Sequence, residues 1–140
     1  MQVLIDTTIW SLALRKNKKS QHDGLLIEVV RILIEEGKAK IIGPIRQEVL
    51  SGIVSPTAYQ TLRAHLGAFE DLPILTEDYE RAAEIFNLCR SKGIQGSHID
   101  FLICSIALRL KLEIFTTDKD FEHFATYIPI NLFKSPTLSS

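Results

Sequence analysis

The chain has 140 residues, 46% of them apolar and 24% charged, with a net charge of −1. This is the profile of one globular domain and excludes a disordered chain, a collagen-like fibre and a disulfide-stapled miniprotein. Near-neutrality also excludes a general attraction to nucleic acid or anionic membrane, so any such affinity must come from local charge.

Val3-Leu4-Ile5 is a short β-branched-rich run that predicts a strand, closed by Asp6-Thr7-Thr8, polar residues able to start a helix. Asp6 interrupts this first apolar run too early for a secretory signal. A helix through Trp10 and Leu14 follows, then a basic loop at Arg15, Lys16, Lys18 and Lys19. Leu25, Leu26, Val29, Val30, Leu33 and Ile34 keep helical spacing, with Gly37 placed for a C-terminal cap. This stretch carries Glu28 and Arg31 and is too short to span a bilayer, so a soluble cytoplasmic protein is expected. Ile41-Ile42 is the second strand candidate, ended by Gly43-Pro44. Ile45, Val49 and Ile53 recur every four residues and predict a helix starting at the proline. Another helix is predicted from Pro56 to Phe69, then a short extended piece from Leu72 to Leu75 that Pro73 limits.

Thr76, Glu77 and Asp78 mark a helix start, with acids in the first turn; that helix carries Ala82, Ile85, Phe86 and Cys89 and ends at Gly93. Ser97-x-x-Asp100 opens the next helix, from His98 to Lys111. Its stripe of Ile99, Leu102, Ile103, Ile106, Ala107 and Leu110 faces Phe101, Cys104 and Leu108 on the other side, so it is apolar nearly all round and belongs deep in the domain. Cys89 and Cys104 lack metal or Cys-x-x-Cys spacing and are expected as buried free thiols. A strand from Leu112 to Thr116, a short helix from Asp118 to Phe124 and an extended end near Ile128-Pro129-Ile130 complete the pattern. Short strands alternating with helices predict an α/β fold with a mainly parallel sheet.

Ligands of such sheets sit beyond the carboxyl ends of the strands. Asp6 and Asp118 follow two strands there, Asp100 lies in the first turn of the buried helix, and Glu48 flanks the Ile45 stripe, about 60° from Ile45. Each acid alone has an ordinary explanation: an N-cap for Asp6, a capping box for Asp100, a turn for Asp118, a helix flank for Glu48. Thr117-x-x-Asp120 also reads as a capping box, which makes Asp120 structural. Gathered in one pocket, the four would repel each other unless a cation neutralised them. Hard oxygen ligands of this kind suit Mg²⁺ or Mn²⁺.

The order and local wording of these residues carry more than any one of them. Val3-Leu4-Ile5-Asp6-Thr7-Thr8, Glu48 in Ile45-Arg46-Gln47-Glu48-Val49, Asp100 in Ile99-Asp100-Phe101-Leu102-Ile103, and Phe115-Thr116-Thr117-Asp118-Lys119-Asp120-Phe121 resemble the PIN domain, and more narrowly its VapC-type toxins. The resemblance covers residues 1–132 and leaves 133–140 as a tail. It implies a PIN-like three-layer α/β/α sandwich in which Asp6, Glu48, Asp100 and Asp118 match the acidic quartet that binds Mg²⁺ or Mn²⁺ and cleaves RNA. Thr7 and Thr116 match polar residues bordering the metal, and Asp120 the second acid of the closing motif. Phe101 and Cys104 depart from the pattern, standing where small residues commonly follow the third acid. The family further implies a cognate antitoxin whose extended tail offers an arginine to the carboxylates, and a homodimer using surfaces at Leu25–Ile34 or Leu62–Phe69.

The chemistry agrees, since metal held by carboxylates can activate water and neutralise phosphate charge; one ion or two is left open. Two roles stay open for His98, a substrate contact or an exposed helix-start residue. The basic loop and Lys119 either grip an RNA backbone or are simply solvated. The leading reading is the toxin component of a type II toxin–antitoxin system. An RNA-processing or DNA-directed PIN-like nuclease that is no toxin, and a non-catalytic receiver-like binding module, are the alternatives; Asp6 lacks the acidic neighbour that receivers have.

Overall fold

Val3, Leu4 and Ile5 are all buried, although successive side chains of a strand point to opposite faces. Their strand, β1 (Val3–Ile5), is therefore covered on both sides, as parallel sheets require. The computed structural model describes residues 1–14 and 20–134. After β1 come α1 (Thr7–Leu14), α2 (Gln21–Glu35), β2 (Ala39–Lys40), α3 (Gly43–Leu50), α4 (Pro56–Leu66), α5 (Thr76–Ser91), α6 (His98–Leu110), β3 (Glu113–Phe115), α7 (Asp120–Tyr127) and β4 (Asn131–Leu132). The strands are all parallel in the order β2-β1-β3-β4, with Val3 opposite Ala39 on one side and Glu113 on the other. Helix α1 packs against α2 and α3, α3 against α4, and α5 against α6, giving the α/β/α arrangement. No described helix is long and apolar enough to cross a membrane.

α6 is the buried helix that its composition predicts, with every residue from Phe101 to Ala107 buried. Phe101 reaches Phe124 of α7 at 4.8 Å and Phe124 reaches Phe121 at 5.2 Å, an aromatic layer that fixes α7 beside α6. Cys89 and Cys104 are free and wholly buried, and burial pushes both thiols up from their ordinary value.

Several boundaries differ from the sequence expectation. The second strand is Ala39–Lys40 rather than Ile41-Ile42. Ile41 makes a single parallel bridge to Asp71, and Ile42 caps α3. Burial, not ladder pairing, explains that apolar pair, because Pro44 starts the helix at once. α3 stops at Leu50, so Ile53 packs on the core from outside it, beyond Gly52 with its left-handed φ of 85°. α4 ends at Leu66, with Gly67 as its C-cap, and not at Phe69. The expected surface at Leu62–Phe69 offers a partner neither of its two leucines, because Leu62 and Leu66 are buried in the chain's own core. Leu25, Ile32 and Ile34 do remain partly exposed on α2.

Candidate active site

Asp6 leaves the carboxyl end of β1 and is buried. Its backbone N–H still bonds to the Phe115 carbonyl at 2.9 Å, so the ladder with β3 holds its side chain beside residues 116–118. There the Thr116 hydroxyl donates to Asp6 Oδ2 at 2.7 Å and the Thr8 hydroxyl at 3.2 Å. Thr116 Oγ1 in turn accepts the Asp118 N–H at 3.0 Å, and Thr8 Oγ1 accepts the Thr117 N–H at 3.2 Å. Two threonines thus lace the ends of the central strands together and orient one carboxylate between them.

Asp118 Oδ1 accepts the Asp120 N–H at 2.9 Å and so opens α7. The expected Thr117–Asp120 capping box does not form, because Thr117 is engaged by Thr8 and the acid two residues before Asp120 satisfies the helix start instead. Asp120 is exposed and contributes its backbone N–H. Asp100 does form its capping box: Ser97 N–H donates to Asp100 Oδ2, and Ser97 Oγ accepts the Asp100 N–H, both at 3.1 Å. Glu48, exposed on α3, is joined to this group through Thr7, whose hydroxyl donates to Glu48 Oε1 at 3.0 Å.

Burial raises the Asp100 carboxyl above its ordinary value, and the charges of Asp6 and Asp118 raise it further, against the lowering effect of the Ser97 bonds. Three acids from three elements therefore share one electrostatic environment, with Glu48 at its margin. Each of the four keeps one oxygen that no hydrogen bond from the described residues engages: Asp6 Oδ1, Glu48 Oε2, Asp100 Oδ1 and Asp118 Oδ2. Capping and lacing use one oxygen of each carboxylate and leave the other for a ligand. Among the described residues, no three His, Cys, Asp or Glu side chains form a ready-made cage for an ion. Mg²⁺ does not demand one, since it is usually held by one or two carboxylates with waters and substrate phosphates completing its shell.

Thr8, expected only as a residue at a helix start, proves to be part of the site through its bonds to Asp6 and Thr117. Its signal was the doubling of Thr7-Thr8 opposite Thr116-Thr117, legible only once the two strands are known to be neighbours. Arg46 is the second such residue. It donates to Asp71 Oδ1 at 2.9 Å and to the Leu66 and Phe69 carbonyls at 2.8 and 2.6 Å, so it closes the end of α4 and ties α3, which carries Glu48, to the loop after it. The basic loop of Arg15, Lys16, Lys18 and Lys19 lies outside the described residues.

A parallel α/β sheet whose two central strands end in carboxylates defines a ligand-binding α/β domain with its site at the strand ends. The chain belongs to the PIN domain family, whose family model matches residues 3–127. Membership in it sets aside the receiver-like alternative. The fold is similar to that of FitAcB from Neisseria gonorrhoeae, with a TM-score of 0.75 and 18% identity over 95% of this chain and 97% of that one. It is also similar to VapBC2 from Rickettsia felis bound to a DNA fragment from their promoter, with a TM-score of 0.71 and 18% identity over 95% of this chain and 98% of that one. No curated protein sequence matches the chain at a significant level.

Proposed function

We propose that the chain is a metal-dependent endoribonuclease, the toxin of a type II toxin–antitoxin pair, with residues 1–132 as its nuclease domain. The observation that carries this reading is the lacing by Thr116, whose hydroxyl donates to Asp6 while accepting the Asp118 N–H, so that carboxylates following two neighbouring strands meet with one oxygen of each left free by the described residues. A site that holds like charges together at a cost to its own ionisation is one arranged for a cation. The all-oxygen donor set fits Mg²⁺ or Mn²⁺. Asp6, Asp100 and Asp118 would hold the ion, and Glu48, fixed by Thr7, would face it from α3. When bound, such an ion neutralises phosphate charge and makes its water more acidic.

The chain's own groups supply the rest. Thr116 and Thr8 keep Asp6 in one orientation, which saves the ordering cost when phosphate arrives. Ser97 does the same for Asp100. Thr7 and Asp120 support Glu48 and Asp118 respectively.

The similarity to FitAcB and to VapBC2 with its promoter DNA supports a partner protein, here read as an antitoxin that offers an arginine to the same carboxylates. A second copy of the chain, using the Leu25–Ile34 face of α2, belongs to the same reading. The test is cleavage of matched RNA and DNA strands with Mg²⁺, with Mn²⁺ and with chelator. The expected result is cutting of RNA only, dependent on the ion. Cutting of DNA would favour the DNA-directed alternative, and normal growth of cells expressing the active nuclease would favour an RNA-processing role.

A further inference from the structure

Helix α3 carries Glu48, and Ile45 and Val49 bury one of its faces in the core. Among the described residues, only two of its side chains bond to other elements, Glu48 and Arg46. At 100° per residue the two lie about 200° apart around the helix, so they hold it from nearly opposite flanks. On the Glu48 flank the hold is one exposed bond from the Thr7 hydroxyl of α1.

The Arg46 flank is held far more firmly. Its Nε donates to the Asp71 carboxylate at 2.9 Å, and its two Nη groups donate to the Leu66 and Phe69 carbonyls at 2.8 and 2.6 Å. All three acceptors lie between the end of α4 and residue 71, and this turn is anchored on two sides. Ile41, just before α3, bridges Asp71, and its carbonyl accepts the Leu72 N–H at 2.9 Å. The Phe69 ring meets Trp10 of α1 edge-on, with centroids 5.1 Å and planes 67° apart. Trp10 is buried and stands three residues after Thr7, on the same flank of α1. The turn at 66–71 therefore braces both helices that share the Thr7–Glu48 bond, α1 through a ring contact and α3 through a guanidinium.

We propose that Arg46 is a positioning residue for Glu48, setting through this brace where that carboxylate stands relative to the three aspartates. A roll of α3 by about 10° moves a side-chain end about 6 Å from the helix axis by about 1 Å. A misplacement of about 1 Å can cost about 100-fold in rate. The Thr7 bond alone is too weak to prevent that roll. The proposal rests on the metal-dependent nuclease reading and names what holds its fourth acid.

The test is a double-mutant cycle on the full chain, Arg46→Ala against Glu48→Gln, read as Mn²⁺ affinity from metal-induced thermal shifts and as RNA cleavage. Glutamine removes the charge and keeps an acceptor for Thr7. With Glu48 present, Arg46→Ala should weaken Mn²⁺ binding and lower kcat by about 10- to 100-fold, with KM for RNA within about twofold. In the Glu48→Gln background the same substitution should change either by less than about twofold, because its route to the ion is gone. Arg46→Lys keeps the charge without the planar fork and should restore part of the loss; it runs the same cycle if Arg46→Ala does not fold. Trp10 is the chain's single tryptophan and reports the brace without metal. Its emission in chelator should shift in Arg46→Ala and remain in place in Glu48→Gln. Equal losses in both backgrounds, or an unshifted emission in Arg46→Ala, overturn the proposal, because Arg46 then only stabilises the fold. A wild type that binds Mn²⁺ but cuts no RNA defeats the nuclease reading, and the Mn²⁺ cycle still decides the role of Arg46. A wild type that does neither defeats both.

Discussion

Replacing Asp100 by asparagine separates two roles that one carboxylate holds. Oδ2 accepts the Ser97 N–H and closes a capping box, while the charge is opposed by burial and by Asp6 and Asp118. Asparagine keeps an oxygen for the cap and removes the charge; alanine removes both. Losing the cap costs about 0.5–2 kcal/mol, and each kcal/mol moves Tm by about 2–4 °C for a domain somewhat larger than this one. The folded carboxyl is raised above its unfolded value, so the folded chain binds the proton more tightly. Its contribution therefore lowers ion-free stability as pH rises from about 3.9 through the raised value, and the deficit persists above it. In chelator at neutral pH, Asp100→Asn should melt above wild type, and Asp100→Ala should fall below Asp100→Asn by the cap. Metal reverses the order. At 100 times its dissociation constant an ion adds about 2.7 kcal/mol to the wild type, and Asp100→Asn should gain much less. The assay is thermal unfolding of the three chains across pH 3–8, with chelator and with an Mn²⁺ titration. If Asp100→Asn melts below wild type in chelator and gains the same metal-induced shift, Asp100 is a cap and nothing more.

Burial pushes Asp78 upward, but Arg109 and the Leu75 N–H hold it below its ordinary value. Its stabilising effect is therefore present above the unfolded carboxylate value and lost as pH falls through the lower folded one. Arg109→Ala leaves a buried charge unpaired and should cost about 3 kcal/mol near neutral pH, and less once acid protonates Asp78, as read by urea unfolding. A Cβ at Gly96 would lie 2.6 Å from Phe124 Cζ and 2.9 Å from Phe101 Cζ. Gly96→Ala should cost about 1–3 kcal/mol by overpacking and, by shifting Ser97, weaken the Asp100 cap; thermal unfolding and RNA cleavage check the two effects. Lys111 ends α6 at φ 56° and ψ 48°. Lys111→Gly relieves that left-handed strain and should stabilise by about 1 kcal/mol, with unchanged melting as the contrary result.

The parts of the site that were legible in the sequence are local. Val3-Leu4-Ile5-Asp6 announces a strand and its polar end, and Ser97-x-x-Asp100 announces a cap, because each signal lies within four residues. The lacing of Asp6 to Thr116 spans 110 positions, and nothing in either segment names the other. Arg46 with Asp71 and Asp78 with Arg109 are hidden for the same reason, at separations of 25 and 31. Ile41-Ile42 misled because a buried apolar pair looks the same in a strand and at the entrance to a helix. Thr117-x-x-Asp120 misled because Asp118, one residue nearer, accepts the helix N–H instead.

The central claim is that Asp6 and its neighbours form an ion-dependent RNA-cleaving site, and the measurement that meets it most directly is single-turnover RNA cleavage by wild type and Asp6→Asn in Mn²⁺. Asparagine preserves volume and an acceptor for Thr116, so circular dichroism and melting in chelator should show an intact fold. The account predicts cleavage by wild type that chelator abolishes and no detectable cleavage by Asp6→Asn. Wild-type rates from a folded Asp6→Asn chain would contradict it.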